Sequence, residues 1–442
     1  MLEKQTFKLQ IKLIAILAVL VSFLGIVNLV STAKVHAAND VPETDSSVQP
    51  ASILAKPTLV APTNGATGIS TSPTLTVHLA QSKGGTLAIS FYGRAEASVS
   101  ANFDVIALPD TQRYTAQDKR FGGSPAIFNS QTQWIANNRA TENIVFVSHL
   151  GDITNCGDGH CNVNDRLSAQ NQWKAADTAM KFLENPLTTG LSDGIPYGIL
   201  PGNHDQPTKL YNTYFGVTRF SGRSYYGGHY GSDNNNNYQL FSAGGMDFIA
   251  ISLGNNPSKG AIAWADGLLK TYKDRRAIVS SHDILTHGIV FSSVGKKIYK
   301  GLQNNPNLFL MLCGHVIAAG WRSDTYLGNT VYSLLSDYEW ESNGGNGYLR
   351  IMKFVPSQNQ IQVKTYSPYL NQWKTDSKNQ FNLDYRMGYT LISTVNQPSG
   401  VDVSIPWPGL TNSTQYSWYA VVNDGVQSAP SDVWNFVTAP KP

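Results

Sequence analysis

Five times between residues 103 and 315 an apolar, β-type run breaks off into a short polar motif, and this rhythm constrains the fold more than any other feature of the chain. The run 103–108 leads to Asp110-Thr111-Gln112, 144–148 to Gly151-Asp152, and 195–200 to Gly202-Asn203-His204-Asp205. The run 277–280 leads to Ser281-His282, and 308–312 to Gly314-His315. Helical periodicity falls between some of these runs, at 165–184, 258–272 and 292–304. Strands alternating with helices predict an α/β domain over 101–387, and polar residues at the carboxyl ends of strands mark the rim where such folds carry their sites.

Taken singly, each motif is weak. An Asp after Gly is often a turn former or helix cap, and a His is often a satisfied core residue. Gly202-Asn203-His204-Asp205 behind an apolar strand is more specific, and the ordered set of five is more specific still. The residue types fit two-metal chemistry. Two divalent ions close together clamp a phosphate and bring a water between them to a near-neutral pKa. A carboxylate must bridge the ions, and Asp152 is the candidate. Asp110 and Asp152 against two +2 ions leave a formal charge of +2. Gln112, Asn203, His282 and His315 leave that balance unchanged, which suits an anionic substrate.

The ordered motifs resemble the calcineurin-like metallophosphoesterases over nearly all of 101–387. Within them the chain is most similar to a secreted bacterial branch that opens with Leu-Pro-Asp-Thr-Gln, here 108–112; Asp337-Tyr338 and the stretch 344–348 share the look of that branch. The resemblance implies an αββα sandwich with Asp110 and Gln112 on the first metal, Asp152 bridging, and Asn203, His282 and His315 on the second. It implies that His204 reaches the substrate and protonates the leaving oxygen, oriented by Asp205. Two positions depart from the family pattern: Gln112 stands where the first motif has His, and Ile317 stands where the last motif has its second His. Both missing imidazoles would serve the first metal, so that site becomes all oxygen and favours Mn, Mg or Ca, while the second favours Mn, Fe or Zn. His149 is a candidate for support behind the ligands. Arg113 and Arg322, after the first and last motifs, are candidates to grip a phosphate oxygen, and equally readable as structural arginines. Tyr226, in a Gly-rich aromatic stretch, is a candidate to stack on a base or sugar, with local packing the alternative.

The two ends read differently. Lys4, Lys8 and Lys12, an apolar run from 13 to 30 and Val35-His36-Ala37 form an export signal over 1–37, with a retained anchor as the alternative. The expected location is therefore secreted or extracytoplasmic, with no membrane contact beyond this segment. Removing the signal leaves 29 basic and 29 acidic residues, so the basic balance of the whole chain carries no indication of nucleic-acid binding. Residues 38–56 read as a linker. The pieces 57–100 and 388–442 each hold alternating strands but are too small to stand alone. Together they predict about seven strands, enough for one discontinuous immunoglobulin- or fibronectin-III-like sandwich interrupted after Tyr92 by the whole α/β domain, and a surface for cell-envelope contact. Trp407, Trp418 and Trp434 are expected in its core. Cys156 and Cys161 predict a disulfide closing a small loop, with a zinc site including His160 as the weaker reading, and Cys313 reads as a buried small hydrophobe. The function expected is metal-dependent hydrolysis of an extracellular phosphoester, mono- or diester. The alternative is a binding or adhesion protein on a degenerate, single-metal hydrolase fold.

Overall fold

The computed structural model describes residues 54–81, 85–159 and 161–441; the expected export signal over 1–37, residues 38–53 of the expected linker and His160 lie outside them. Two seven-stranded sheets form the centre. One runs Gln372–Lys374, Gln360–Ser367, Leu349–Val355, Phe103–Leu108, Ile144–His149, Tyr197–Gly198, with Phe381–Asp384 also paired to Gln360–Ser367. The other runs Ala319–Tyr326, Asn329–Ser336, Leu308–Cys313, Arg276–Ser281, Met246–Leu253, Asn236–Ala243, Tyr226–His229.

Alternation along the strands builds the layers. In the first sheet Phe103, Val105 and Ala107 enter a core shared with the second sheet, through Phe248, Ile278, Leu310 and Leu312. Ile106 and Leu108 on the opposite face pack on helices. The second sheet does the same, with Ile249, Ile251 and Val279 turned to helices Lys259–Thr271 and Ser293–Leu302. A bulge where Ala277 and Ile278 pair with Leu308 and Leu310 puts both Phe309 and Leu310 into the inter-sheet core. The result is helix, sheet, sheet, helix, with Cys313 buried in it. Each fully buried Leu, Ile or Phe here contributes about 1.5–3 kcal/mol.

The three expected helices form, and one further long helix and several short ones join them. Ala169–Glu184 buries Trp173, Ala176, Met180 and Leu183 and stops before Pro186. Pro125–Asn138 was not anticipated. It starts at Ser124, whose side chain accepts from the Ala126 N–H, and it buries Gln131 and Thr132 beside Ile127, Phe128 and Ile135. Those polar residues mask its apolar stripe; Gln131 is satisfied by the Tyr348 carbonyl at 2.9 Å. The run 195–200 forms only the two-residue strand Tyr197–Gly198, flanked by Pro196 and Pro201, which cannot donate to a ladder.

Strands from both ends of the chain share two further sheets. In one, Thr74–His78 lies between Thr58–Ala61 and Asp402–Pro406 and pairs with both. In the other, Thr86–Ala95 lies between Thr390–Pro398 and Gln415–Asn423, continued by Trp434–Thr438 and Ala66–Ile69, with Ser428–Pro430 on one side. The short pieces Ala66–Ile69 and Ser428–Pro430 raise the number of strands above seven. Neither shows apolar alternation, and both join by backbone pairing. Trp418 is fully buried between these sheets, while Trp407 and Trp434 pack at its margin. Arg94 ties this part to the α/β domain: its Nη1 donates to the carbonyls of Pro356 at 2.8 Å and Met387 at 2.6 Å.

Candidate metal centre

The parallel strands end on one rim, and Asp110, Asp152, Asn203, His282 and His315 follow them there. Ligand atoms of Asp152, His282 and His315 lie within 4.8 Å of one another. His282 Nε2 faces Asn203 Oδ1 at 3.0 Å and Asp152 Oδ2 at 3.1 Å, and its Nδ1 meets the Leu150 carbonyl at 3.0 Å. The Nδ1–H donates to Leu150 O, which leaves Nε2 as the nitrogen turned to the other ligands. Asp110 joins through the His315 loop, accepting the His315 N–H at 3.2 Å.

Backbone geometry explains the glycines of the motifs. A Cβ on Gly314 would sit 2.0 Å from Asp110 Oδ1, and one on Gly202 would sit 2.1 Å from Asp152 Oδ1. Only glycine lets these carboxylates lie against the neighbouring chain. Asp152 (φ 46°) and His315 (φ 71°) are themselves left-handed, a strain that the surrounding loops hold in place at functional positions.

Electrostatics divides the cluster. Burial works to raise the Asp152 carboxyl, but His282 and His204 outweigh it and hold the group below the ordinary carboxylate range. Burial disfavours charge on His282, yet Asp152 beside it lifts the imidazole to about 9. Burial and the neighbouring His282 lower His315. Asp110 is pushed well above its ordinary range by burial, then by Asp337, Asp152 and Glu339.

Gln112 is buried, and its Nε2 donates to Glu339 Oε2. Its Oε1 is buried with no hydrogen-bond partner, which is what an oxygen reserved for a cation looks like. The donor set fits divalent metal: imidazoles and Asn203 beside Asp152, and the oxygens of Asp110 and Gln112 in the same buried cluster. Sequence reasoning missed Asp337 and Glu339 as members of this cluster. Glu339 N–H donates to Asp337 Oδ1 at 3.0 Å, and both side chains are buried. The signal was available, because Asn329–Ser336 is another partly apolar strand running into a carboxylate.

Several expected roles change. Asp205 does not touch the His204 ring. Its carboxylate accepts four bonds, from Ile153 N, Thr154 N, Thr154 Oγ1 and Gly202 N at 2.8–3.0 Å. It is a positioning residue that locks the Asp152 loop to the Asn203 loop. The His204 ring is held instead by the Asn155 carbonyl, 3.1 Å from Nδ1, and the backbone N–H of His204 donates to Asp152 Oδ1 at 2.8 Å. Arg113 is not free for a phosphate. It is buried, 3.2 Å from Asp118 Oδ2 and 3.0 Å from Glu339 Oε2, the latter an ion pair by distance without hydrogen-bond alignment. Arg322 is forked onto Asp324 at 2.6 and 2.8 Å over the Phe291 ring. The Tyr226 hydroxyl donates to Asn234 at 2.7 Å, with its ring stacked on Phe220. Neither side chain contacts the cluster; both are engaged in local packing.

His149 is neutral and structural. Burial and then His282 depress it to about 3. Its Nδ1 accepts the Gly151 N–H at 3.2 Å, so Nε2 carries the proton and donates to Thr111 Oγ1 at 3.1 Å. This ties the first motif to the second. Cys156 and Cys161 are joined in a disulfide, which takes their sulfurs out of metal binding although Asp165 lies close by.

Comparison with known proteins finds likenesses over part of the chain. Residues 104–318 match the family model described as calcineurin-like phosphoesterase. A Bacillus subtilis (strain 168) protein, the uncharacterised YvnB, is 32% identical over 374 residues, which cover 76% of this chain and 27% of YvnB. The chain thus spans about a quarter of that relative's length. Among solved structures, a purple acid phosphatase from yellow lupin seeds is 10% identical with a TM-score of 0.44, covering 75% of each chain. The calcineurin-like phosphoesterase YfkN from Bacillus subtilis is 11% identical with a TM-score of 0.31, covering 68% of this chain and 91% of its own.

Proposed function

We propose that the calcineurin-like phosphoesterase domain carried by residues 104–318 is a metal-dependent hydrolase of an extracellular phosphoester, monoester or diester. The observation that carries this reading is the convergence of Asp152, His282 and His315 from three separate strand ends. Asn203, His282, His315 and Asp152 would hold one divalent ion, and Asp110, Gln112 and Asp152 the other. Such a pair supplies Lewis acidity and an activated water when bound. Softer imidazole ligands suit Mn, Fe or Zn on the first-named side, and oxygens suit Mn, Mg or Ca on the second.

The chain's own residues handle the proton. With Nδ1 of His204 donating to the Asn155 carbonyl, Nε2 remains to carry a proton to the leaving oxygen. The His204 N–H on Asp152 fixes this ring relative to the bridging carboxylate. Asp205 acts one step back, through the loops it ties together. We place the enzyme outside the cytoplasm on the strength of the leader at 1–37. We read the sheets shared by 57–100 and 388–442 as one discontinuous immunoglobulin- or fibronectin-III-like sandwich available for cell-envelope contact.

Assays of nitrophenyl mono- and diesters with Mn test the reading. His204→Ala is expected to lower kcat by about 10²–10³ while bound metal is retained. Absence of turnover with every divalent metal tried would favour the binding or adhesion alternative.

A further inference from the structure

We propose that Asp337, with Glu339 behind it, supplies the first metal site with the carboxylate ligand that replaces the imidazoles missing at Gln112 and Ile317. The inference rests on the phosphoesterase reading and extends it to residues beyond the matched stretch 104–318.

Position comes first. Asn329–Ser336 runs parallel to Leu308–Cys313, so its carboxyl end delivers Asp337 to the same rim as His315. The backbone there is fixed by the Asp337 N–H on the Ala318 carbonyl at 3.0 Å, beside the loop that carries Ile317.

Unsatisfied atoms come second. Asp337 is 2% exposed; Oδ1 accepts the Glu339 N–H, and Oδ2 is buried with no partner. Gln112 Oε1 is in the same condition, and Gln112 is joined to Glu339 through Nε2. Two oxygens of one buried cluster thus face no donor among the described residues. An orphaned acceptor of this kind costs about 1–3 kcal/mol, more when charged, unless a cation or donor meets it.

Charge comes third. Asp110, Asp337 and Glu339 are buried together near Asp152. Arg113 faces Glu339 but is shared with Asp118. Arg350 is buried too, with Nη1 on the Leu335 carbonyl and Nη2 on the Lys378 carbonyl and the Tyr338 hydroxyl; its Nε is unpartnered, and it forms no ion pair with Asp110 or Asp337 among the described residues. Asp110 and Asp337 are left without a paired side-chain cation among the described residues. A hard divalent ion is the counter-charge that an all-oxygen cluster selects.

A consequence for substrate follows. With Glu339 met by Arg113, Asp337 lowers the formal charge of the two-ion site from +2 to +1. A weaker field discriminates less in favour of a dianionic monoester and shifts preference toward monoanionic diesters.

The test uses Mn titration of the full chain after chelation, followed by calorimetry and metal analysis. The unmodified chain is expected to take up two Mn, one tight and one weaker. Asp337→Asn, equal in size and uncharged, is expected to keep the tight ion and weaken the other at least ~10-fold. Two ions bound as tightly as in the unmodified chain would overturn the assignment of Asp337 while leaving the phosphoesterase reading intact. No Mn bound by the unmodified chain would overturn both. If the variant fails to fold, Mn anomalous scattering from crystals of the unmodified chain decides instead. An ion within about 2.0–2.6 Å of Asp337 Oδ2 supports the proposal, and an ion placed farther away overturns it.

Discussion

On the imidazole side of Asp152, His282 sets Nδ1 on the Leu150 carbonyl and Nε2 toward Asn203 and Asp152, so the ligand set is knit together by its own hydrogen bonds. On the oxygen side, Gln112 Oε1 and Asp337 Oδ2 are buried with no partner, and burial with mutual repulsion raises Asp110, Asp337 and Glu339. On the two-ion reading proposed above, the difference teaches that one half of the site is organised by the protein and the other by the ion it would receive. The first half should load tightly and keep its shape. The second should load weakly and take its shape from the load.

The largest test removes what the halves share. Asp152→Ala should abolish both sites and lower kcat/KM on the order of 10⁴-fold or more, because each ion supplies several kcal/mol of transition-state stabilisation. Survival of either ion's affinity in that variant would break the idea of a common bridge. Asp205→Asn comes next. It loses charge-assisted bonds to Thr154, Ile153 and Gly202, so thermal unfolding should show about 2–3 kcal/mol less stability. Metal affinity should fall by roughly 10–100-fold, mostly on the imidazole side, since Asp205 holds the loop that carries Asn203. An equal loss on both sides would blur the contrast. Ile317→His is milder and works in the opposite direction: it adds an imidazole near the oxygen side and should tighten zinc there by roughly tenfold, read by competition titration.

The smallest expected effect comes from a control within one strand. Asp104 stands at the amino end of Phe103–Leu108, whose carboxyl end leads to Asp110, and it too is buried with an unpartnered Oδ1. Burial, offset in part by Lys353 opposite, pushes it up to about 7. The native state then keeps a proton that the unfolded chain releases near pH 4. Stability from this group is full below about pH 4 and drains as pH rises through about 7. Asp104→Asn should flatten that part of the melting profile, and Mn should leave it unchanged. A Mn-dependent shift at Asp104 would mean that an orphaned carboxylate oxygen is no mark of a metal site.

Much of the site was legible because chemistry restricts it to a few residue types placed at strand ends. Asp110, Asp152, Asn203, His282 and His315 each follow an apolar run that the alternation of Phe103–Leu108 and its neighbours makes plain. Asp337 follows the same kind of strand end, but the signal is fainter, because Tyr332 and Ser333 interrupt the apolar run of Asn329–Ser336 before it. The role of Asp205 was misread, because adjacency to His204 in sequence says nothing about where a carboxylate points once the Gly202 turn has folded. Arg113 was left open between a phosphate contact and a structural arginine, because its partners, Asp118 and Glu339, include one more than two hundred positions away. In the outer sheets the long strands could be read from alternation, while Ala66–Ile69 and Ser428–Pro430 could not, since backbone pairing alone creates them.

The central claim is that two ions share Asp152, one held by imidazoles and one by oxygens. Electron paramagnetic resonance during Mn titration of the full chain tests it most directly. The account predicts an isolated-ion spectrum at the first equivalent that gives way to a spin-coupled pair at the second. An isolated-ion spectrum that persists through saturation would contradict it.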